Sequence, residues 1–181
     1  IVEPDCDMEQ ALDAQLNGFT YNQGEVCCAM TRLLLHEDSY DEFLKKLANK
    51  AQARVIGDTL DPKTTMGALI SPSHLEKVDQ DIKDAVSEGA KIYCGGKRYL
   101  EGICVNGSFY ETTILVNVTP EMICFQEEIF GPVLVVTKYR DLDEAISLAN
   151  NSTMGLGDNI FTKDLKKAYW AAKKLDAGTV W

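Results

Sequence analysis

Hydrophobic and polar positions along the chain follow two alternating patterns. Apolar residues at intervals of three and four predict amphipathic helices, over residues 7–19, 39–53, 73–88, 142–152 and 163–175. Short apolar runs predict strands between them, at residues 31–37, 91–94, 109–118, within 127–139, 159–162 and 178–181. Asp7 and Ser39 are the expected N-caps of the first two helices, and Gly89 is expected to end the third.

This alternation predicts an α/β fold in three layers, with helices covering both faces of a mostly parallel sheet. The length of 181 residues is that of one ordinary domain. No repeat, low-complexity segment or interdomain linker divides the sequence. We therefore expect residues 1–181 to form a single domain.

The composition is typical of a globular protein, with 45% apolar and 25% charged residues. The net charge of −10 opposes binding to nucleic acid or to an anionic membrane surface. No apolar run approaches the roughly 20 residues of a membrane helix, and no signal-peptide core is present. The chain starts in a strand-like pattern without Met, so we expect it to be a piece of a longer polypeptide.

The cysteines are expected to be reduced thiols of a cytoplasmic protein, because no C-x-x-C pair occurs and adjacent cysteines rarely bridge. They are Cys6, Cys27, Cys28, Cys94, Cys104 and Cys124. The two histidines, His36 and His74, stand in no ligand spacing with these thiols. A zinc site is therefore not expected.

Cys27 and Cys28 follow a loop that ends in Gly24-Glu25-Val26, and the sequence predicts a short helix directly after it, over residues 27–31. The free amides at the start of such a helix would favour a thiolate and a developing oxyanion. The alternative is that both cysteines are small buried apolar residues, as free Cys often is. Spacing alone favours the buried interpretation.

A second segment, QEEIFGPV at residues 126–133, combines paired acidic residues with an aromatic residue and a Gly-Pro turn. One carboxylate in such a turn could accept hydrogen bonds from both hydroxyls of a ribose. The alternative is a solvated acidic turn in which Phe130 fills the core, and the segment in isolation favours this alternative.

Two further features carry weaker signals. Gly155-x-Gly157 lacks the third glycine of a dinucleotide-binding fingerprint, so a turn is the better interpretation. His74 lies near a predicted helix start, where a surface residue is expected rather than a catalytic base.

Taken together, four segments resemble the catalytic domain of the aldehyde dehydrogenase superfamily in order and spacing. They are NQGEVCCAMTR (22–32), EEIFGPV (127–133), NSTMGLGDNIFT (151–162) and AGTVW (177–181). The resemblance covers essentially the whole chain, and the segments SPSHLEKV and NQGEVCCA also resemble betaine-aldehyde-type enzymes. One departure is Thr20, at a position where the family often has an aromatic residue.

The resemblance implies a fold, a reaction and a site. The fold is the three-layer αβα catalytic domain of that superfamily, and the reaction converts a small aldehyde to a carboxylic acid with NAD or NADP as the cofactor. Cys27 is the implied nucleophile, which forms a thiohemiacetal and then a thioester. Glu128 is the implied ribose ligand, and Phe130 lies near the nicotinamide. The full-length enzyme would be a cytoplasmic homo-oligomer.

The same resemblance implies that parts of the enzyme lie outside this chain. The family's general base, a Glu in a Glu-Leu-Gly-Gly segment, would precede residue 1, and the nucleotide-binding domain would lie further upstream. A C-terminal oligomerisation segment would follow. We therefore expect these 181 residues to be a catalytic-domain fragment that is inactive alone.

Three alternatives remain open from the sequence. One is a CoA-acylating or semialdehyde dehydrogenase of the same superfamily. Another is a cysteine hydrolase with His36 or His74 as its base. The third is a non-catalytic binding fragment with inert buried thiols.

Overall fold

A sheet of four strands forms the centre of the computed structural model, which describes residues 1–181. The strands lie in the order β1-β4-β3-β2, with bounds β1 Arg32–His36, β2 Lys91–Cys94, β3 Thr113–Val116 and β4 Val133–Tyr139. β1 and β3 pair in parallel with the central strand β4, and β2 pairs antiparallel with β3. A separate parallel pair is formed by β5 Gly157–Asp158 and β6 Thr179–Val180.

Helices cover both faces of this sheet. Their bounds are α1 Met8–Thr20, α2 Tyr40–Gln52, α3 Pro72–Glu88, α4 Ile123–Gln126, α5 Leu142–Asn150 and α6 Leu165–Lys174. α1 and α2 pack on one face, and the other four helices pack on the opposite face. None of the helices has both the length and the apolar character that a membrane-spanning segment needs.

The central strand β4 contributes to the core on both sides of the sheet. Val133 and Val135 belong to the apolar cluster under α3 and α5, whereas Leu134 and Val136 belong to the cluster under α1 and α2. Successive side chains of a strand point to opposite faces, so a strand buried on both faces is a continuous apolar run. The predicted three-layer α/β fold with a mostly parallel sheet is thus confirmed.

All three expected helix ends lie at the predicted residues, but only two of them show the expected capping feature. The Asp7 side chain accepts a hydrogen bond from the Gln10 main-chain N–H at 3.1 Å, and Gly89 ends α3 with a left-handed φ of 113°. Ser39 precedes α2 but its side chain does not cap the helix. Its hydroxyl instead donates to the His36 carbonyl at 3.3 Å.

Two predicted strands are shorter or displaced. The strand expected over 109–118 is limited to β3, and Asn117 after it has a positive φ of 58°. The strand expected over 159–162 lies two residues earlier, at β5, and Phe161 makes only an isolated bridge with Val2. The ends of these strands depend on which neighbouring strand is available for pairing. The local residue preferences of a segment do not contain this information.

A buried polar cluster ties the first residues of the chain to the end of β4. The Tyr139 hydroxyl lies 2.6 Å from Glu3 Oε1 and 2.8 Å from the Val2 carbonyl oxygen. Lys167 Nζ donates to the other Glu3 oxygen at 2.6 Å. Glu3 and Tyr139 are both buried, and burial, together with the hydrogen bond to Glu3, raises the pKa of Tyr139. The carboxylate is thus held by a hydroxyl on one side and an ammonium on the other.

We predict that Tyr139→Phe lowers the free energy of unfolding by about 1–3 kcal/mol, because a buried carboxylate oxygen loses its hydroxyl donor. Urea denaturation followed by circular dichroism measures the change. Tyr93→Phe is the matched control, since Tyr93 is exposed on β2. Equal stability of the two variants would contradict the prediction.

Candidate active site

The loop that joins α1 to β1, residues 21–31, is named the Cys27 loop. It starts with a tight turn in which Asn22, Gln23 and Gly24 all have positive φ angles, of 49°, 58° and 74°. Residues with a Cβ rarely adopt this region, so the turn needs support from elsewhere. Part of that support comes from the Gln23 side chain, whose Oε1 accepts a hydrogen bond from the Gly67 N–H at 2.9 Å.

Cys27 and Cys28 form a turn at the surface, and both are exposed. No helix follows them. The Met30 N–H donates to the Gly18 carbonyl at 2.9 Å, and the Met30 carbonyl accepts from Gln15 Nε2 at 2.7 Å. The predicted short helix is therefore wrong, because hydrogen bonds to α1 hold this segment in an extended path into β1.

The exposed turn has two consequences for the thiols. The interpretation of Cys27 and Cys28 as buried apolar residues is wrong. A helix N-terminus cannot favour a thiolate there, since the helix is absent. The main-chain N–H groups of both cysteines donate to no group in the chain, so they are free to bind an oxygen of a ligand.

Three of the four other thiols lie in very different surroundings. Cys94, Cys104 and Cys124 are buried. Burial raises the pKa of Cys94 and of Cys124 to about 11. These thiols remain protonated near neutral pH, which makes them poor nucleophiles.

The loop that joins α4 to β4, residues 127–132, is named the Glu128 loop and contacts the Cys27 loop directly. A Cβ atom on Gly24 would overlap the carbonyl oxygen of Gly131. The two backbones can therefore meet only because Gly24 has no side chain. Ile129 points into the core, whereas Phe130 is only half-buried, so the expectation that Phe130 fills the core is wrong.

Side chains in the first half of α3 form hydrogen bonds and packing contacts with the Glu128 loop. Lys77 Nζ donates to the Glu128 carbonyl at 3.3 Å, and His74 Nε2 lies 2.7 Å from the Phe130 carbonyl oxygen. Val78 packs against Gly131 closely enough to exclude a Cβ there. Phe130 has a positive φ of 58°, so this loop also contains a strained residue that its neighbours hold in place.

The Cys27 loop and the Glu128 loop border a common cleft of about 190 Å³. Cys27 and Glu128 both line it, as does Arg32 at the start of β1. Glu128 is exposed, and its carboxylate forms no hydrogen bond or ion pair within the chain, whereas its main-chain carbonyl accepts from Lys77. Phe130 does not line this cleft, and its ring instead meets the His74 ring edge-on, with the ring centroids 6.2 Å apart.

Neither histidine is placed as a base for Cys27. His74 Nε2 faces the Phe130 carbonyl, and no hydrogen bond joins either histidine to the thiol. His36 is at the opposite end of β1, where its ring packs edge-on against Tyr139 at 5.3 Å. No three His, Cys, Asp or Glu side chains lie together as a metal-binding group.

The link between the Cys27 loop and the start of α3 could not be predicted from neighbouring residues in the sequence. Glu25 Oε1 accepts from the Ile70 N–H at 3.0 Å and lies 3.5 Å from His74 Nε2. The Cys27 loop is thus linked through Glu25 to the start of α3. The sequence does contain a signal for the start of α3, which is Ser71 as the N-cap followed by Pro72. That signal alone could have placed His74 in the first turn of the helix.

A family model described as the aldehyde dehydrogenase family matches residues 1–181. This chain belongs to the aldehyde dehydrogenase family. The resemblance that the sequence motifs suggested is therefore confirmed at the level of the family.

Curated relatives match this chain over its entire length. An aldehyde dehydrogenase of Enchytraeus buchholzi is 40% identical over 181 residues, which are 100% of this chain and 36% of the relative. Mouse retinal dehydrogenase 2 is 39% identical, over 100% of this chain and 34% of its own length. The chain thus spans about a third of the length of these curated relatives.

Solved structures show the same aldehyde dehydrogenase fold. Betaine aldehyde dehydrogenase of Staphylococcus aureus in complex with NAD+ superposes with a TM-score of 0.98 at 39% identity, over 99% of this chain and 36% of that one. An aldehyde dehydrogenase of Bacillus cereus in complex with NAD+ has a TM-score of 0.95 at 36% identity, over 99% of this chain and 36% of that one.

We predict that Gly24→Ala destabilises the protein by about 1–3 kcal/mol more than Gly102→Ala, measured by urea denaturation. Both glycines have positive φ angles, of 74° and 55°, so both variants add left-handed strain. Only at Gly24 would the new Cβ meet another backbone, because nothing lies within 4 Å of a Cβ at Gly102. Equal losses in the two variants would show that the contact with Gly131 contributes nothing.

Proposed function

We propose that this chain is the nucleophile-bearing catalytic domain of an NAD(P)-dependent aldehyde dehydrogenase. The reaction converts an aldehyde to a carboxylic acid through a thiohemiacetal and a thioester on Cys27. One observation carries the proposal: in a chain of this family, the exposed thiol of Cys27 and the free carboxylate of Glu128 line the same cleft.

Cys27 provides the covalent chemistry. Its thiolate sulfur adds to the carbonyl carbon of the aldehyde, and the carbonyl π electrons move to oxygen to give the oxyanion of a thiohemiacetal. The free N–H groups of Cys27 and Cys28 can donate to that oxyanion. Loss of a hydride from carbon leaves a thioester, and water then attacks it to release the acid and the thiol. The covalent intermediate divides oxidation and hydrolysis into two easier steps.

The chain offers a fitting group for a nicotinamide cofactor. The Glu128 carboxylate can accept hydrogen bonds from the two hydroxyls of a ribose, because no residue of the chain occupies it. Phe130 follows two residues later in the same loop. NAD(P)+, when bound, supplies the acceptor for the hydride. A fixed ribose would set the distance and angle for that transfer.

Activity is proposed to need residues beyond this chain. The matched relatives extend well past the region that these 181 residues cover. The family resemblance assigns the general base and the nucleotide-binding domain to the preceding part of the polypeptide. We propose a cytoplasmic homo-oligomer acting on a small aldehyde, with these 181 residues alone inactive. Retinal and betaine aldehyde dehydrogenases are similar to this chain at the same 39% identity, so identity alone selects no substrate.

We predict that Cys27→Ser lowers NAD+-dependent aldehyde oxidation by the complete protein at least ~1,000-fold, because it removes the nucleophile. Cys28→Ser is the matched control and should retain most activity. Limiting iodoacetamide at pH 8, followed by mass spectrometry, should label Cys27 in the native protein but leave Cys94 unlabelled until urea is added. Substantial turnover by the Cys27→Ser variant would contradict the assignment of the nucleophile.

We predict that Glu128→Gln lowers kcat/KM for NAD+ about 10-fold, because an amide accepts fewer hydrogen bonds from the ribose hydroxyls than a carboxylate does. Steady-state kinetics with saturating aldehyde measures the effect. Glu127→Gln is the matched control, since Glu127 is the adjacent exposed acid and loses the same charge. An equal loss in both variants would point to general electrostatics rather than to a specific ribose contact.

A further inference from the structure

His74 lies where the Cys27 loop, the Glu128 loop and α3 meet. Ser71 caps α3 by accepting a hydrogen bond from the His74 N–H at 3.1 Å, which fixes the helix start. The His74 Nε2 atom lies 2.7 Å from the Phe130 carbonyl oxygen and 3.5 Å from Glu25 Oε1. Both side chains of the His74–Glu25 pair are largely buried.

The two oxygen atoms that face His74 Nε2 determine whether this nitrogen donates or accepts a hydrogen bond. A carbonyl oxygen can only accept, so Nε2 carries a hydrogen and donates it to Phe130. The nearby Glu25 carboxylate oxygen favours the same Nε2–H form. Glu25 is itself held by the Ile70 N–H at 3.0 Å, so the negative oxygen that faces the ring is fixed rather than free.

Within the Glu128 loop, the carbonyl groups of residues 128–130 accept hydrogen bonds only from side chains of α3. His74 is the only hydrogen-bond partner of the Phe130 carbonyl, and Phe130 is held at a positive φ of 58°. One helical turn further, Lys77 Nζ lies 3.3 Å from the Glu128 carbonyl oxygen and 3.5 Å from that of Ile129. Without the His74 hydrogen bond, no other group of the chain bonds to the carbonyl of the strained Phe130.

We propose that His74 is a positioning residue that sets the spacing between the Cys27 sulfur and the Glu128 carboxylate. It donates to the Glu128 loop at Phe130 and faces the Cys27 loop at Glu25, two residues before the thiol. This inference rests on the proposed function. Loss of the Nε2–H donor should therefore disturb both ends of the cleft at once, although His74 touches neither Cys27 nor the Glu128 carboxylate.

The test compares three variants of the complete protein. His74→Phe keeps a ring but removes the donor. We expect it to raise KM for NAD+ about fivefold and to lower kcat, since one partly buried hydrogen bond is lost. It should also change the rate at which iodoacetamide alkylates Cys27 without cofactor. His74→Gln keeps an amide donor of sufficient reach and should recover most of both losses. His36→Phe is the matched control at the other end of β1 and should leave both readouts unchanged.

Thermal unfolding of each variant separates these effects from a loss of fold. If His74→Phe does not fold, His74→Asn replaces it, because the shorter amide cannot reach Phe130. Wild-type KM and alkylation rate in a folded donor-less variant would overturn the inference and leave the proposed function intact. Equal impairment of a folded His74→Gln would also overturn it. Absence of aldehyde oxidation in the wild-type complete protein would instead refute the proposed function.

Discussion

The contact between the Gly24 and Gly131 backbones is the constraint on which the rest of the site depends. The Cys27 loop reaches this point through three residues with positive φ, and the Glu128 loop reaches it through the strained Phe130. Neither conformation is favourable for an isolated peptide. Each loop is stable because the other loop and α3 occupy the space beside it. As a result, the thiol and the carboxylate open into one cleft rather than onto separate surfaces.

Much of the scaffold could be predicted from local pattern. The spacing of apolar residues located the five longer helices but not the four-residue α4. The Asp7 cap and the left-handed Gly89 are properties of a few consecutive residues. Continuous apolar runs identified the buried strands, since β4 packs on both of its faces. These features could be predicted because their causes lie within one helical turn or one strand.

The surroundings of the candidate nucleophile could not be predicted in the same way. The segment after Cys27 is compatible with a helix, but Met30 bonds to α1 and the chain continues extended. His74 contacts Phe130, which is 56 residues away in sequence, and this pairing depends on the whole fold. The family resemblance pointed to Cys27 and Glu128. Geometry was needed to show that both open into one cleft.

The pairing of β1 with β4 also determines when the cleft can exist. These strands come from opposite halves of the chain, and the Cys27 loop leads into one while the Glu128 loop leads into the other. Parallel pairing of distant segments is a slow step, because loop-closure entropy opposes it. A nascent or partly folded chain therefore displays a thiol without the acidic partner opposite it. The proposed oxidation, which needs the thiol and the cofactor-holding carboxylate together, would therefore begin only after this pairing is complete.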